Sequence, residues 1–525
     1  MKNKTKKLAV GLLGLSVAFV FPLSAFAAAD TGWTSSTKLY EIRTWAGKSD
    51  WGHDNGAVKN SSFFHPHSLA ALPDGKLLVA DSGNHLLRTL TAEQVSAYAG
   101  INLGVNEAGI PISGFNDASL AEAAFSLPAG LAVDAQGTVY VADSGNHAIR
   151  KITKDGKITT LAGNGIFGLK DGVGSEASFD TPADVAVDSK GNVFVADTLN
   201  HVIRKITPDG KVTTLTAPST RIIEYHPGAV ADVGDYLDGP IASAKFNEPS
   251  GLAVDAKDNL YVSDRLNQRI RYIDFSTGQV TTIAGGGSYG TQAYKVDGGY
   301  ADGPGSAARF NAPEGLSVTP DGTVVVADSL NHVIRLIQGG QVTTLAGVGT
   351  EYGQADGLTG SAQFNHPTDV AVLADGRLAI ADEYGNKVRI LQKYAKPDGL
   401  QTGNTIAVLL NGKLVSSDVP AQLKSNSVFL PVRSVSEALK YVVTNNNKTG
   451  EATLTKGDVS YTIKNGSATV VKKVGEEETS LTLNAPAFIK KDRMFLPVRF
   501  FAEQNDLDIQ WDQAESTVVI RNKTF

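Results

Sequence analysis

The feature that most limits what this chain can become is a nine-residue phrase that recurs six times. Its first copy reads Ala80-Asp81-Ser82-Gly83-Asn84-His85-Leu86-Leu87-Arg88, and the aspartate returns as Asp143, Asp197, Asp264, Asp328 and Asp382. The arginine closing the phrase returns with it, as Arg150, Arg204, Arg271, Arg335 and Arg389. Successive aspartates lie 54 to 67 residues apart, so the period is elastic. Self-similarity of this kind points to stacked supersecondary units, none of which buries its apolar face alone.

Each copy stands in a constant frame. A Phe-x-x-Pro phrase such as Phe246-Asn247-Glu248-Pro249 opens the unit, and an apolar run, Gly251-Leu252-Ala253-Val254, follows. A turn such as Pro320-Asp321-Gly322 leads into Thr323-Val324-Val325-Val326-Ala327. A third run follows the Asp phrase, and a fourth is typified by Val342-Thr343-Thr344-Leu345-Ala346-Gly347. Short Val/Ile/Thr-rich runs separated by Asp-Gly turns make β-hairpins. Four strands per unit and six units predict a six-bladed β-propeller over 39–394. The last unit has no fourth run, whereas the chain start has an orphan one, Leu39 to Gly47. This segment is expected to complete the last blade and so remove an open sheet edge.

Composition supports this reading and narrows the function. The 525 residues include 54 glycines and no cysteine, with 48 basic against 54 acidic residues. The glycines suit hairpin turns. Disulfides, thiolate metal sites and cysteine nucleophiles are excluded, and a net charge of −6 disfavours nucleic acid as a partner. At the start, Lys2, Lys4, Lys6 and Lys7 precede an apolar run, Leu8 to Phe21, and an Ala25-Phe26-Ala27 cleavage site. Residues 1–27 read as a secretory signal peptide, the run being shorter than the roughly 20 residues of a membrane span. The mature protein is expected to be secreted or cell-surface associated, with no transmembrane segment after signal cleavage.

The Asp-x-x-Asn-His-x-Ile-Arg phrase with its Gly-rich flanks resembles the NHL repeat family, whose members form six-bladed propellers. The family spans lyases, RNA binders, sensor domains and surface proteins, so the resemblance implies a fold and leaves function open. We read the repeated Asp and Arg residues as structural: Asp ends the second strand and caps its turn, Asn or Gly there tolerates the left-handed conformation, and Arg satisfies carbonyls or acids. Function is expected where the copies differ, above all on the long connections between blades. These carry 15 acidic and 7 basic residues and several tyrosines. Tyr225, Tyr236, Tyr289 and Tyr300 are candidate ligand-binding residues on this top face.

One NHL-like branch, the peptide α-amidating lyases, holds zinc through histidines that follow the proline of inner strands. At that position this chain has His67, Ala129, Ala183, Ser250, Glu314 and Thr368, so only His67 matches. His366 precedes its proline and is expected to point elsewhere. His67, Asp184, Glu314 and Asp369 are candidates at the channel mouth, either to hold a cation through oxygen ligands or to hydrate a narrow tunnel. No Walker or dinucleotide glycine pattern is placed between a strand and a helix, and no catalytic residue, metal or cofactor is assigned.

Residues 395–404 are turn-rich and read as a linker. Beyond them Phe429-Leu430-Pro431-Val432-Arg433 recurs as Phe495-Leu496-Pro497-Val498-Arg499. Each copy leads into a helical segment bearing Glu437 or Glu503, a duplicated α+β unit. Together with Val408-Leu409-Leu410-Asn411-Gly412-Lys413 and the closing Trp511-Asp512, these phrases resemble the copper amine oxidase N-terminal-like (stalk) domain, over 405–523. All nine histidines lie at or before His366, so the resemblance does not bring copper chemistry. Arg433/Glu437 and Arg499/Glu503 are expected to fix each helix on its sheet. The reading that results is a non-enzymatic binding or scaffold protein whose propeller takes an extracellular protein, peptide or cell-wall glycan on its top face. The alternative is a secreted lyase- or hydrolase-like enzyme, possibly metal-dependent, with its site at the channel mouth.

Overall fold

We describe a computed structural model of the chain over residues 40–522, apart from 227, 290–292, 395–396, 398–399, 401–404, 425–426, 447 and 513–515. The expected signal peptide over 1–27 lies outside the described residues, as do most of the expected linker and the side chain of Tyr225. Among the described residues no helix is long and apolar enough to cross a membrane.

Six antiparallel sheets follow one another, each built as a meander. In blade 1 the strands are Pro66–Ala71, Leu77–Asp81, Leu86–Leu90 and Gln94–Ala99, running from the channel outward. Blades 2 to 6 repeat this, with inner strands Pro128–Val133, Pro182–Val187, Pro249–Val254, Pro313–Val318 and Pro367–Val372. The N-terminal strand Tyr40–Ala46 pairs antiparallel with Lys387–Lys393 and so becomes the outer strand of blade 6. In five blades a two-residue strand, such as Gly172–Val173, covers part of the outer edge. Apolar clusters lie between neighbouring blades. That between blades 3 and 4 joins Phe194, Ala196, Phe246, Leu252 and Val262.

Inside every blade the repeated phrase makes one buried network. The Asp carboxylate and the Arg seven residues on lie 2.6 to 2.8 Å apart with side chains at most 1% exposed. In blade 3, Asp197 also accepts the backbone N–H of Asp180 and the side-chain amide of Asn200, while Arg204 donates to the Ser178 and Lys170 carbonyls. The ring of Phe179 lies 5.0 Å beneath the guanidinium. A second carboxylate, Asp171, takes the other guanidinium nitrogen. Asp117, Asp238, Asp302 and Asp356 do the same in four other blades, and Asn55 in blade 1. Five of the 15 acids on the connections are therefore built into blades, which corrects the reading of their excess as a free acidic rim.

The histidine of the phrase couples one blade to the next. It sits in the left-handed region (φ 49° to 58°) at His85, His147, His201 and His332, where Gln268 and Asn386 stand in the other two copies. Asn or Gly was expected there, yet the Asn of the phrase lies inside the preceding 3-10 turn. The imidazole Nδ1 accepts the backbone N–H of the residue before the next blade's inner proline, as in Thr181 to His147 (3.0 Å) and Glu248 to His201 (3.1 Å). Gln268 accepts from Ala312, and Asn386 closes the ring by accepting from His65. Every junction carries this bond.

The C-terminal module pairs its two copies about a local two-fold, with Leu430 opposite Leu496 in antiparallel strands. Each strand runs into a short helix, α1 (Val432–Ala438) or α2 (Val498–Gln504), packed under a five-stranded meander from Val442 to Thr482. Arg433 and Glu437 are exposed and 3.9 Å apart. Such a contact contributes little, and no Arg499–Glu503 pair is found among the described residues. Packing of Val435, Phe500 and Phe501 holds the helices instead. This module meets blade 6. Leu409 and Val519 pack on Leu358 and Tyr394, and the buried Arg521 bonds Glu41 of the closing strand at 2.7 Å.

Two outcomes follow from these contacts. Burial lowers the His201 pKa to about 4, so the unfolded chain takes up the proton first. Stability is then complete above about 6.5 and falls as pH drops from there to about 4, by on the order of 3 kcal/mol for this residue. His201→Gln, which copies the arrangement at Gln268, should keep the pH 7.5 melting temperature and lose less stability at pH 5 than the parent does. Separately, Arg521→Ala removes one of two guanidinium partners of the buried Glu41, which keeps Arg43 at 2.8 Å, and should cost about 1–3 kcal/mol. Arg521→Met with Glu41→Gln should recover part of that loss in denaturant titrations.

Candidate functional site on the top face of the propeller

Strand one of each blade starts and strand two ends at the top face, where the Asp phrase and the inter-blade connections lie. Three positions per blade surround the channel mouth: the residues flanking the inner proline and the residue after the repeated Asp. In blades 2 and 3 they are Leu127, Ala129, Ser144, Thr181, Ala183 and Thr198. Blades 4, 5, 6 and 1 place charge and imidazole there instead. The mouth is thus chemically lopsided although the scaffold is near-symmetric.

The polar half is one connected arc. Arg265 of blade 4 donates to Glu248 (3.0 Å) and across the blade boundary to Glu314 (3.1 Å). Glu314 lies 4.0 Å from His366 Nε2, whose Nδ1 is 2.8 Å from Glu383. The other Glu383 oxygen reaches His65 Nδ1 at 3.0 Å, so one carboxylate bridges blades 6 and 1. Burial would raise the Glu383 carboxyl, but hydrogen bonds from His366 and His65 outweigh it and hold the pKa at about 2. For His366, burial opposes the proton; the bond to Glu383 and the charges of Glu314 and Glu383 raise its pKa nonetheless. Tyr384 stacks on the His366 ring at 4.5 Å. A carboxylate that fixes one imidazole nitrogen leaves the other free to accept or donate toward a ligand.

Below the arc the channel narrows to a cavity of about 20 Å³, room for about one water, lined by His67, Asp184, Ser250, Glu314 and Asp369. The two aspartates join blades. Asp184 of blade 3 accepts the Leu252 N–H of blade 4, and Asp369 of blade 6 accepts the Leu69 N–H and Ser68 hydroxyl of blade 1. Glycine is required beside them, since a Cβ on Gly130 or Gly315 would collide with the Asp184 or Asp369 carboxylate. Burial, followed by the charge of Asp369, raises the Asp184 pKa well above the carboxylate range, and burial lifts Asp369 to about 6. Among the described residues no group of three acidic or imidazole side chains is arranged to hold a metal ion. His67 Nδ1 is buried at the mouth and has no hydrogen-bond partner.

The structure therefore brings together His67, Asp184, Glu314 and Asp369, and sends Tyr236, Tyr289 and Tyr300 elsewhere. Tyr236 bonds Asp238 and covers Arg271, while Tyr300 bonds Thr344 and covers Arg335; both rings complete blade networks. Tyr289 stacks on Arg221 at 4.1 Å on the blade 4 connection. His366, expected to point away, is central to the arc. Glu383, Arg265 and Glu248 were not singled out from sequence. Their signal was available: four copies have Ser or Thr after the repeated Asp, and Arg265 and Glu383 are the two departures.

Comparison with known proteins accords with this architecture. The family model for the NHL repeat matches residues 63–90, 125–152, 179–206 and 246–271, and that for the copper amine oxidase N-terminal domain matches 409–520. The chain is 31% identical over 290 residues to Protein SUPPRESSOR OF QUENCHING 1, chloroplastic, of Arabidopsis thaliana, covering 53% of this chain and 26% of that one. It is 28% identical over 344 residues to NHL repeat-containing protein 2 of Gallus gallus, covering 61% and 45%. The match spans about a quarter to under half the length of these relatives. Similar solved structures include an auxiliary nutrient binding protein from Bacteroides thetaiotaomicron (TM-score 0.48, 16% identity, 68% of this chain and 76% of that one). Another is a streptogramin B lyase (TM-score 0.38, 12% identity, 69% and 100%). The chain carries NHL repeats, folded into a six-bladed β-propeller, followed by a copper amine oxidase N-terminal domain.

Proposed function

We propose that this is an exported, non-enzymatic binding protein, acting outside the cell or at its surface, whose propeller takes a peptide, glycan or protein ligand over the channel mouth. The observation carrying this reading is the lopsided ring. Side chains that serve only to build blades recur at every blade, whereas the Glu248–Arg265–Glu314–His366–Glu383–His65 arc occupies one side. The C-terminal module serves as a spacer or attachment unit packed on blade 6.

A second reading, a lyase- or hydrolase-like enzyme, draws on the Glu383–His366 pair, since a carboxylate-oriented imidazole is the arrangement of a general base. Turnover separates the two. A protein that binds a surface glycan or peptide fraction unchanged, and whose His366→Gln variant alters affinity alone, supports the binding reading; conversion of the captured material, abolished by His366→Gln, supports the enzyme.

For the binding reading, immobilised full-length protein should retain a defined peptide or wall-glycan fraction at least 10-fold more tightly than its Glu314→Gln/Glu383→Gln variant. Equal retention by both would sink it. Export has its own check: N-terminal sequencing of the protein from its native host should begin at Ala28, and an intact Met1 would refute cleavage.

A further inference from the structure

The side of the top face opposite the arc is apolar. The connection from blade 1 to blade 2 exposes Ile110 (53%), and that from blade 2 to blade 3 exposes Ile166 (65%) and Phe167 (69%). Leu127 holds the ring position that Glu248 and His366 hold in blades 4 and 6, and Leu199 lies on the blade 3 turn; both are about half exposed. Phe167 lies beside His147 at the blade 2–3 junction, and Phe115 of the first connection packs over Arg150 of blade 2. Large side chains grouped in this way on a soluble face mark an interaction surface. Across the mouth, three carboxylates (Glu248, Glu314, Glu383) face one guanidinium, Arg265, so acidic groups outnumber the permanent cation on that side.

On the reading that a ligand sits on this face, we propose that the ligand is an extended peptide segment carrying both large apolar and basic side chains. It lies across the mouth from blades 2–3 to blades 5–6. The apolar side chains cover Ile166, Phe167 and Leu127, and a lysine or arginine approaches the carboxylates of the arc. The chemistry argues against sugar as the main occupant: the apolar side is mostly aliphatic, whereas sugar rings stack on Trp and Tyr faces. A purely apolar partner would leave the arc's charge without a complement.

The test uses the full chain and four probes in fluorescence titrations. They are a ten-residue peptide alternating Leu or Phe with Lys, the same peptide with Glu for Lys, the same with Ser for Leu and Phe, and an N-acetylglucosamine oligomer. The first should bind at least 10-fold more tightly than the others and weaken as salt rises. Ile166→Ser/Phe167→Ser and, separately, Glu314→Gln should each weaken it about 10-fold. Ile222→Ser, an exposed site on the blade 4 hairpin, should not. Melting temperatures identify any variant that fails to fold, and Phe167→Leu then replaces the serine pair. Equal binding of the acidic peptide, or indifference to both sets of substitutions, overturns the proposal. Binding of the sugar oligomer that is lost in Glu314→Gln overturns the peptide while leaving top-face binding intact. If no probe responds to any top-face substitution, both fall.

Discussion

The buried Asp–Arg pair is the interaction on which the propeller depends. A carboxylate and a guanidinium with no access to water are tolerated when most of their remaining hydrogen-bonding capacity is filled, and in four blades only the Arg Nε is left without a partner. Here the filling groups come from every part of a blade: the entry loop, the turn after the second strand, the third strand and the returning connection. In blade 3 these are Asp180, Asn200, Arg204 and Lys170 around Asp197. One pair therefore specifies the relative position of segments that would otherwise be flexible loops. The Phe-x-x-Pro phenylalanine adds a face beneath the guanidinium, which explains why an aromatic recurs at that spacing.

Much of this was legible in the sequence. Asp and Arg recur beside Val-rich runs, and short apolar runs broken by Asp-Gly turns leave little alternative to blades. The second carboxylate was legible in principle. Asp171 precedes Phe179 by the interval that separates Asp238 from Phe246, yet it sits in connections whose lengths vary and was read only as surface charge. The histidine's role was hidden, because its partner is a backbone N–H of another blade and backbone groups leave no residue signature.

The site divides in the same way. His67 and Glu314 could be placed at the mouth because the position after the inner proline points to the axis. Glu383 and His366 could not be joined from sequence, since their meeting depends on how far the Asp phrase leans over the neighbouring inner strand. Tyr236 and Tyr300 drew notice as aromatics on long loops, although their nearest cations are blade arginines. Aromatic content on a loop does not distinguish a ligand platform from a lid over a buried charge; the register to the nearest Arg does.

The closing strand also sets an order of events during synthesis. Tyr40–Ala46 leaves the ribosome before any blade, but its partner Lys387–Lys393 is made only after all the others. Five blades can meander locally as they appear, while the sixth waits for a contact between distant parts of the chain, the slow kind of pairing. The Glu41 carboxylate in that strand waits longer still, for Arg521 near the end of the chain. Until Lys387–Lys393 is made the ring has an open edge, so the nascent propeller is most vulnerable to mispairing just before its sixth blade closes.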